Sequence, residues 1–128
     1  MRKYLLESSF VVDLLNEIAD NNYEGPALRW LKLNRRAHLW ISPVTLAEVL
    51  EGAEDPQAVK AYLGRYSWQG IDRIQAERVA LQQKRAAKPM GENDAWQAAV
   101  AACMKGRVLG HDAAFTKLGG IYEDYRQA

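Results

Sequence analysis

The sequence predicts a three-layer α/β/α fold: a mostly parallel sheet of four or five strands flanked by helices. Short apolar runs alternate along the chain with longer stretches whose apolar residues recur at helical spacing. Strands that alternate with helices build parallel sheets. Ser42-Pro43, Asp55-Pro56 and Asp72 each read as a cap that opens a helix. No repeat, low-complexity segment or linker divides the chain, so residues 1–128 read as one domain. That length is enough to bury a core.

In order, Lys3 to Leu6 is a short apolar run and the first expected strand. From Phe10 the period changes: Val11, Leu14, Leu15 and Ile18 share a helix face, with Ser8 or Ser9 as the cap. A second helix is expected over Gly25 to Ala37, with Pro26 in its first turn, where the missing N–H does least harm. His38 to Ile41 is the next strand. Helices follow over Pro43 to Glu51 and from Asp55-Pro56 to about Gly64. Tyr66 to Ile71 holds a short strand, weakened by Gly70. Asp72 caps a long polar helix, Arg73 to about Ala87, that Lys88-Pro89 ends. Asp94 to Lys105 is an alanine-rich helix behind Gly91-Glu92-Asn93. Arg107 to Leu109 is a brief strand, Asp112 to Leu118 a short helix, and Gly120 to Tyr122 the last strand.

Composition bounds the function. With 48% hydrophobic and 26% charged residues the chain is an ordinary globular mixture. A net charge of +1 gives no overall attraction to nucleic acid, although a local basic strip fits within a neutral total. The one cysteine, Cys103, cannot form an internal disulfide; in its apolar helix it is expected to be buried and inert. MRKYLLESSFVVDLL is interrupted by Glu7 and Asp13 and reads as structure, not as a signal peptide. No run of about 18 apolar residues exists, so no membrane span is expected. The expected compartment is the cytoplasm.

Ligands of open parallel sheets collect beyond the carboxyl ends of the strands. Four acids fall there. Glu7 follows the first strand, Glu48 lies in the helix after the second, Asp94 sits in the first turn of its helix, and Asp112 follows the late strand. Carboxylates brought together repel unless a cation neutralises them or they take up protons. Hard cations such as Mg²⁺ and Mn²⁺ prefer such oxygen ligands, and can activate water for attack on a phosphate. Each acid also has a plain structural reading. Thr45-x-x-Glu48 has the form of a capping box. Asp94 suits a helix dipole, with Asn93 as cap. Asp112 can cap its short helix. Glu7 has no capping role as good as those of Ser8 and Ser9.

Taken in order, these residues resemble the PIN-domain family, and its VapC-like toxins in particular. KYLLESSFVVDLL resembles the family's opening strand and helix, ISPVTLAEVLEGA its second motif around Glu48, and GENDAWQAA its third around Asp94. VLGHDAAF is a weaker match that places Asp112 on the fourth acid and Phe115 on an apolar anchor. The resemblance spans essentially the whole chain. It implies a PIN-like α/β/α domain and a metal-dependent endoribonuclease: Glu7, Glu48, Asp94 and Asp112 catalytic, with Glu7, Asp94 and Asp112 holding Mg²⁺ or Mn²⁺. Ser8, Ser9 and Asn93 are the expected supporting residues. It also implies a homodimer and a small antitoxin partner.

The sequence departs from the family form at four places. The first acid is Glu7 where aspartate is usual, Ser9 replaces an asparagine, Gly110 replaces a threonine, and Ala114 stands where an acid usually precedes the phenylalanine. Glutamate carries its charge one methylene further out, and Mg²⁺ demands near-ideal geometry. The alternative is therefore a catalytically weakened or inactive PIN-like module that binds RNA or a protein partner. Lys84, Arg85, Lys88 and His111 are candidate RNA contacts; a solvated helix end and a surface histidine are their plain readings. Trp68 and Trp96 are candidates for base stacking, with packing the plain reading for Trp96. Phe10, Leu14, Leu28, Trp30 and Leu31 read as core or as a partner surface.

Overall fold

The computed structural model describes residues 2–127. Strand β1 (Lys3–Leu6) leads into helix α1 (Ser8–Ala19) and α2 (Pro26–Leu33), then β2 (His38–Ile41), α3 (Pro43–Glu51) and α4 (Pro56–Leu63). Strand β3 (Ser67–Trp68) is followed by α5 (Arg73–Arg85), α6 (Glu92–Cys103) and β4 (Arg107–Gly110). A 3-10 segment over Ala113–Ile121 leads to β5 (Tyr122–Asp124) and a final 3-10 turn, Tyr125–Gln127. The α/β class and the mostly parallel sheet expected from the sequence are both present.

The sheet runs β3-β2-β1-β4-β5, and every neighbouring pair is parallel. β1 is central and covered on both faces, which is why KYLL reads as a continuous apolar run and not as an alternation. Tyr4 and Leu6 join one core with Phe10, Leu14, Trp30 and Tyr125. Leu5 points the other way, into a core with Val100, Ala101, Val108 and Phe115. The chain builds outward from β1 to β3, then crosses back through α5 and α6 to place β4 on the far side of β1. Strand order reverses between β1 and β4. In open parallel sheets the loops leaving the carboxyl ends diverge at such a point, which is where a crevice is expected.

Several expected boundaries moved, each for a local reason. α1 begins at Ser8 because its cap is Glu7, not Ser8 or Ser9: the Glu7 side chain accepts from Ser9 N. α2 stops at Leu33, short of Ala37, because Asn34 leaves helical geometry and its side-chain amide takes the Trp30 carbonyl at 2.8 Å. β3 keeps only Ser67–Trp68 of the span 66–71, at the edge of the sheet. α5 ends at Arg85, where Ala86 is extended. α6 starts at Glu92, capped by Gly91 without a side-chain bond, so Asn93 lies inside the helix and is not its cap. α6 ends at Cys103, and Lys105 follows with φ +56°. The segment after Asp112 is 3-10, broken at Gly119 (φ +60°), and this delays β5 to Tyr122–Asp124.

Phe10, Leu14 and Trp30 are fully buried and are core, and Leu28 and Leu31 pack against them half-buried. Cys103 is half-buried, less covered than expected. Among the described residues, no helix is long and apolar enough to cross a membrane.

Candidate acidic site

The four acids come from four segments that meet around the crevice. Glu7 joins β1 to α1. Its backbone N–H donates to Leu109 O at 2.9 Å, which ties it to the end of β4. Its side chain is buried, and Oε2 accepts from Ser9 N at 2.9 Å and from Ser9 Oγ. Ser9 Oγ in turn accepts from His111 N at 2.8 Å, so one hydroxyl laces the carboxyl ends of β1 and β4 together.

Glu48 is not part of a capping box. Ser42 caps α3, and the Glu48 carboxylate instead accepts from Ser8 Oγ at 2.6 Å and from the Asn93 amide at 3.4 Å. The three residues expected to support the acids therefore all touch one: Ser9 touches Glu7, and Ser8 and Asn93 touch Glu48. Asp94 stands in the first turn of α6, half-buried. Asp112 does cap the 3-10 segment, accepting from Ala114 N at 2.9 Å through Oδ1. Its own N–H donates to Tyr122 Oη at 3.2 Å.

The acids share one electrostatic field. Burial pushes the Glu7 carboxyl above its ordinary range; the Ser9 hydrogen bonds oppose this, and the charges of Asp112 and Glu48 add to it. Asp94 is raised as well, first by burial and then by the same two neighbours. The donor set suits a hard cation in chemistry and charge: carboxylates, serine hydroxyls and an amide, with no thiolate or imidazole among them. As the side chains stand, no three of His, Cys, Asp or Glu among the described residues converge closely enough to enclose an ion. Glu7 Oε1 and Asp112 Oδ2 accept no hydrogen bond among the described residues, which leaves one oxygen of each open.

A buried polar chain beneath the acids escaped the sequence reading. Ser42 Oγ donates to Gln97 Oε1 at 2.6 Å, Gln97 Nε2 to Thr45 Oγ1 at 2.5 Å, and Thr45 Oγ1 to the Leu6 carbonyl at 2.7 Å. All three side chains are buried. They fix α3 and α6 to the end of β1, one residue before Glu7. The available signal was Gln97, a polar residue on an otherwise alanine-rich buried face.

The expected RNA contacts lie outside the cluster. Lys84, Arg85 and Lys88 are exposed at the end of α5. Gln83 clips that end to the turn before α6 through two bonds with Met90, at 2.7 and 3.1 Å. The His111 ring is exposed and paired with Asp124 at 3.0 Å, turned to a partner of its own. Trp68 is exposed and Trp96 half-buried. A depression of about 880 Å³ lies at the opposite, N-terminal edge of the sheet, lined by Arg2, Lys32, Arg35, Arg36 and His38 among others, and shares no residue with the acids.

Comparison with solved structures places this architecture. The chain is similar to a toxin–antitoxin complex from Klebsiella pneumoniae (22% identity, TM-score 0.74, covering 95% of this chain and 97% of that one). It is similar to VapBC2 of Rickettsia felis, solved bound to a promoter DNA fragment (17%, TM-score 0.73, 94% and 97%). A third is VapC20 of Mycobacterium tuberculosis, described as a sarcin–ricin loop cleaving toxin (19%, TM-score 0.69, 91% and 95%). At these identities the likeness is one of fold. No curated protein matches the sequence. The PIN domain model matches residues 4–121, nearly the full length and a span that includes the positions of all four acids, and the chain therefore belongs to the PIN domain family.

Proposed function

We propose that this chain is a metal-dependent endoribonuclease, the VapC-like toxin of a toxin–antitoxin pair, formed as one PIN-like domain over residues 1–128. The observation that carries this reading is the meeting of Glu7, Glu48, Asp94 and Asp112 at the point where strand order reverses, close enough that Asp112 and Glu48 disfavour the charged forms of Glu7 and Asp94. Such a group is stable at neutral pH when a cation shares it. Glu7, Asp94 and Asp112 would hold Mg²⁺ or Mn²⁺, which supplies an activated water and charge stabilisation at the phosphate. Glu48, oriented by Ser8 and Asn93, completes the catalytic set and directs the water. Lys84, Arg85 and Lys88 offer exposed positive charge for the RNA backbone at the end of α5, and His111 stands at the rim. A small antitoxin belongs to the same reading, supported by the toxin–antitoxin complexes that share the fold; a homodimer and a cytoplasmic setting are proposed with it.

The test is cleavage of tRNA and rRNA substrates in Mg²⁺ and in Mn²⁺. Cleavage that requires the metal and disappears in Asp94→Asn supports the reading; clean folded protein that cleaves nothing in either metal sinks it.

One observation favours the weaker alternative, a module that binds RNA or a protein without cutting. Glu7 spends one carboxylate oxygen on capping α1. If RNA binds the inactive parent with an affinity that does not change on adding Mn²⁺, the module reading replaces the enzyme.

A further inference from the structure

Gly110 ends β4 directly beside Glu7, and its backbone does not call for glycine: of the glycines, only Gly119 has a positive φ. Glycine inside a strand weakens it. Space supplies the reason. A Cβ built at Gly110 would lie 2.8 Å from Glu7 Oε2, 2.9 Å from Glu7 Cβ and 3.3 Å from Glu7 Cγ. Side-by-side strand Cβ atoms normally sit roughly 4.5–5.5 Å apart. The Glu7 side chain is thus folded across the bare face of Gly110 from its root to its tip.

That fold-back solves a problem of length. Favoured caps are Ser, Thr, Asp and Asn, whose oxygens reach the first amides of the helix without surplus chain. Glu7 has one methylene more, yet its Oε2 meets Ser9 N at 2.9 Å. It does so by curling, and the curl occupies the volume that a side chain at position 110 would fill. We infer that Gly110 is a positioning residue: the space left by its missing side chain admits the longer acid, so that Glu7 caps α1 and keeps its carboxylate at the crevice. Two departures from the family form, Glu7 and Gly110, are then a single compensated change. The consequence for metal rests on the function proposed above; the steric coupling does not.

Four full-length proteins test this: the parent, G110A, E7D and E7D/G110A. Thermal unfolding is read without metal, and Mn²⁺ affinity by electron paramagnetic resonance titration. G110A is expected to lower Tm by about 5 °C or more and to weaken Mn²⁺ binding by about tenfold or more. In the E7D background the same substitution is expected to cost less than half as much on both scales, because the shorter acid no longer fills the space. If G110A does not fold, recovery in E7D/G110A supports the inference and failure of both overturns it. An equal Tm loss in the two backgrounds also overturns it, since Gly110 then answers only to the closeness of the Cβ atoms; so does no loss in the parent. Should no member bind Mn²⁺, the metal reading fails and the thermal comparison alone decides the role of Gly110.

Discussion

Thr45→Val removes one oxygen from beneath the acids and nothing else. Valine matches threonine in shape, so no cavity forms, but the hydroxyl is the middle link of the buried chain. Its loss deletes the bond to the Leu6 carbonyl at 2.7 Å and takes away the acceptor that Gln97 Nε2 meets at 2.5 Å. A net hydrogen bond contributes about 1 kcal/mol, and a buried donor left without a partner costs about 1–3 kcal/mol more. Since Thr45 is fully buried and Gln97 nearly so, water cannot replace the lost partner. The expected cost is about 2–4 kcal/mol. An unfolding entropy of about 2.1 cal/mol/K per residue scales to about 0.27 kcal/mol/K over 128 residues, so Tm should fall by about 7–15 °C. Thermal and urea unfolding measure it directly. Adding Gln97→Leu removes the stranded amide, and the double variant should lose less than the two singles together. A Thr45→Val loss under about 0.5 kcal/mol, or strict additivity with Gln97→Leu, would refute the chain as a cooperative support.

Three further outcomes are expected. Asp94 is raised above its ordinary 3.8 in the folded chain. Folding therefore favours its protonated form, and that contribution is present below 3.8 and lost as pH rises through the folded value. Asp94→Asn should thus raise the metal-free Tm at pH 7, with the gain fading as pH falls to 3.8, while Mn²⁺ stabilises the parent more than the variant; a gain that does not depend on pH contradicts this. Glu17, buried in α1, caps α2 by accepting from Ala27 N at 3.0 Å and Leu28 N at 2.8 Å, and a Cβ at Gly25 would fall 2.2 Å from its Cδ. Gly25→Ala should therefore cost about 2–4 kcal/mol in urea unfolding and add almost nothing to Glu17→Ala, because both break the same cap. Trp40 Nε1 is buried without an acceptor among the described residues, while its ring packs against the core around Leu5 and Val108, so Trp40→Phe, which keeps an aromatic ring and removes the unpaired donor, should lower Tm less than Trp40→Leu in a thermal melt; an equal or larger loss contradicts this.

The sequence alone determined the class, the order of the elements and the position of each acid along the chain. Periodicity is local, and Ser42-Pro43, Asp55-Pro56 and Asp72 announce their helices within three or four residues, so β2, α3, α4 and the start of α5 were legible. Features that depend on contacts between distant segments were not. Glu7 as the cap of α1 depends on Gly110, 103 positions away in the chain, and no local propensity favours a glutamate there. Glu48 looked like half of a capping box because the pattern matches; its true partners, Ser8 and Asn93, arrive from α1 and α6 only when the sheet closes. The Ser42–Gln97–Thr45 chain has no linear signature for the same reason. That the four acids share one crevice follows from the crossover that returns β4 to the side of β1, a property of strand order that packing decides and residue spacing does not record.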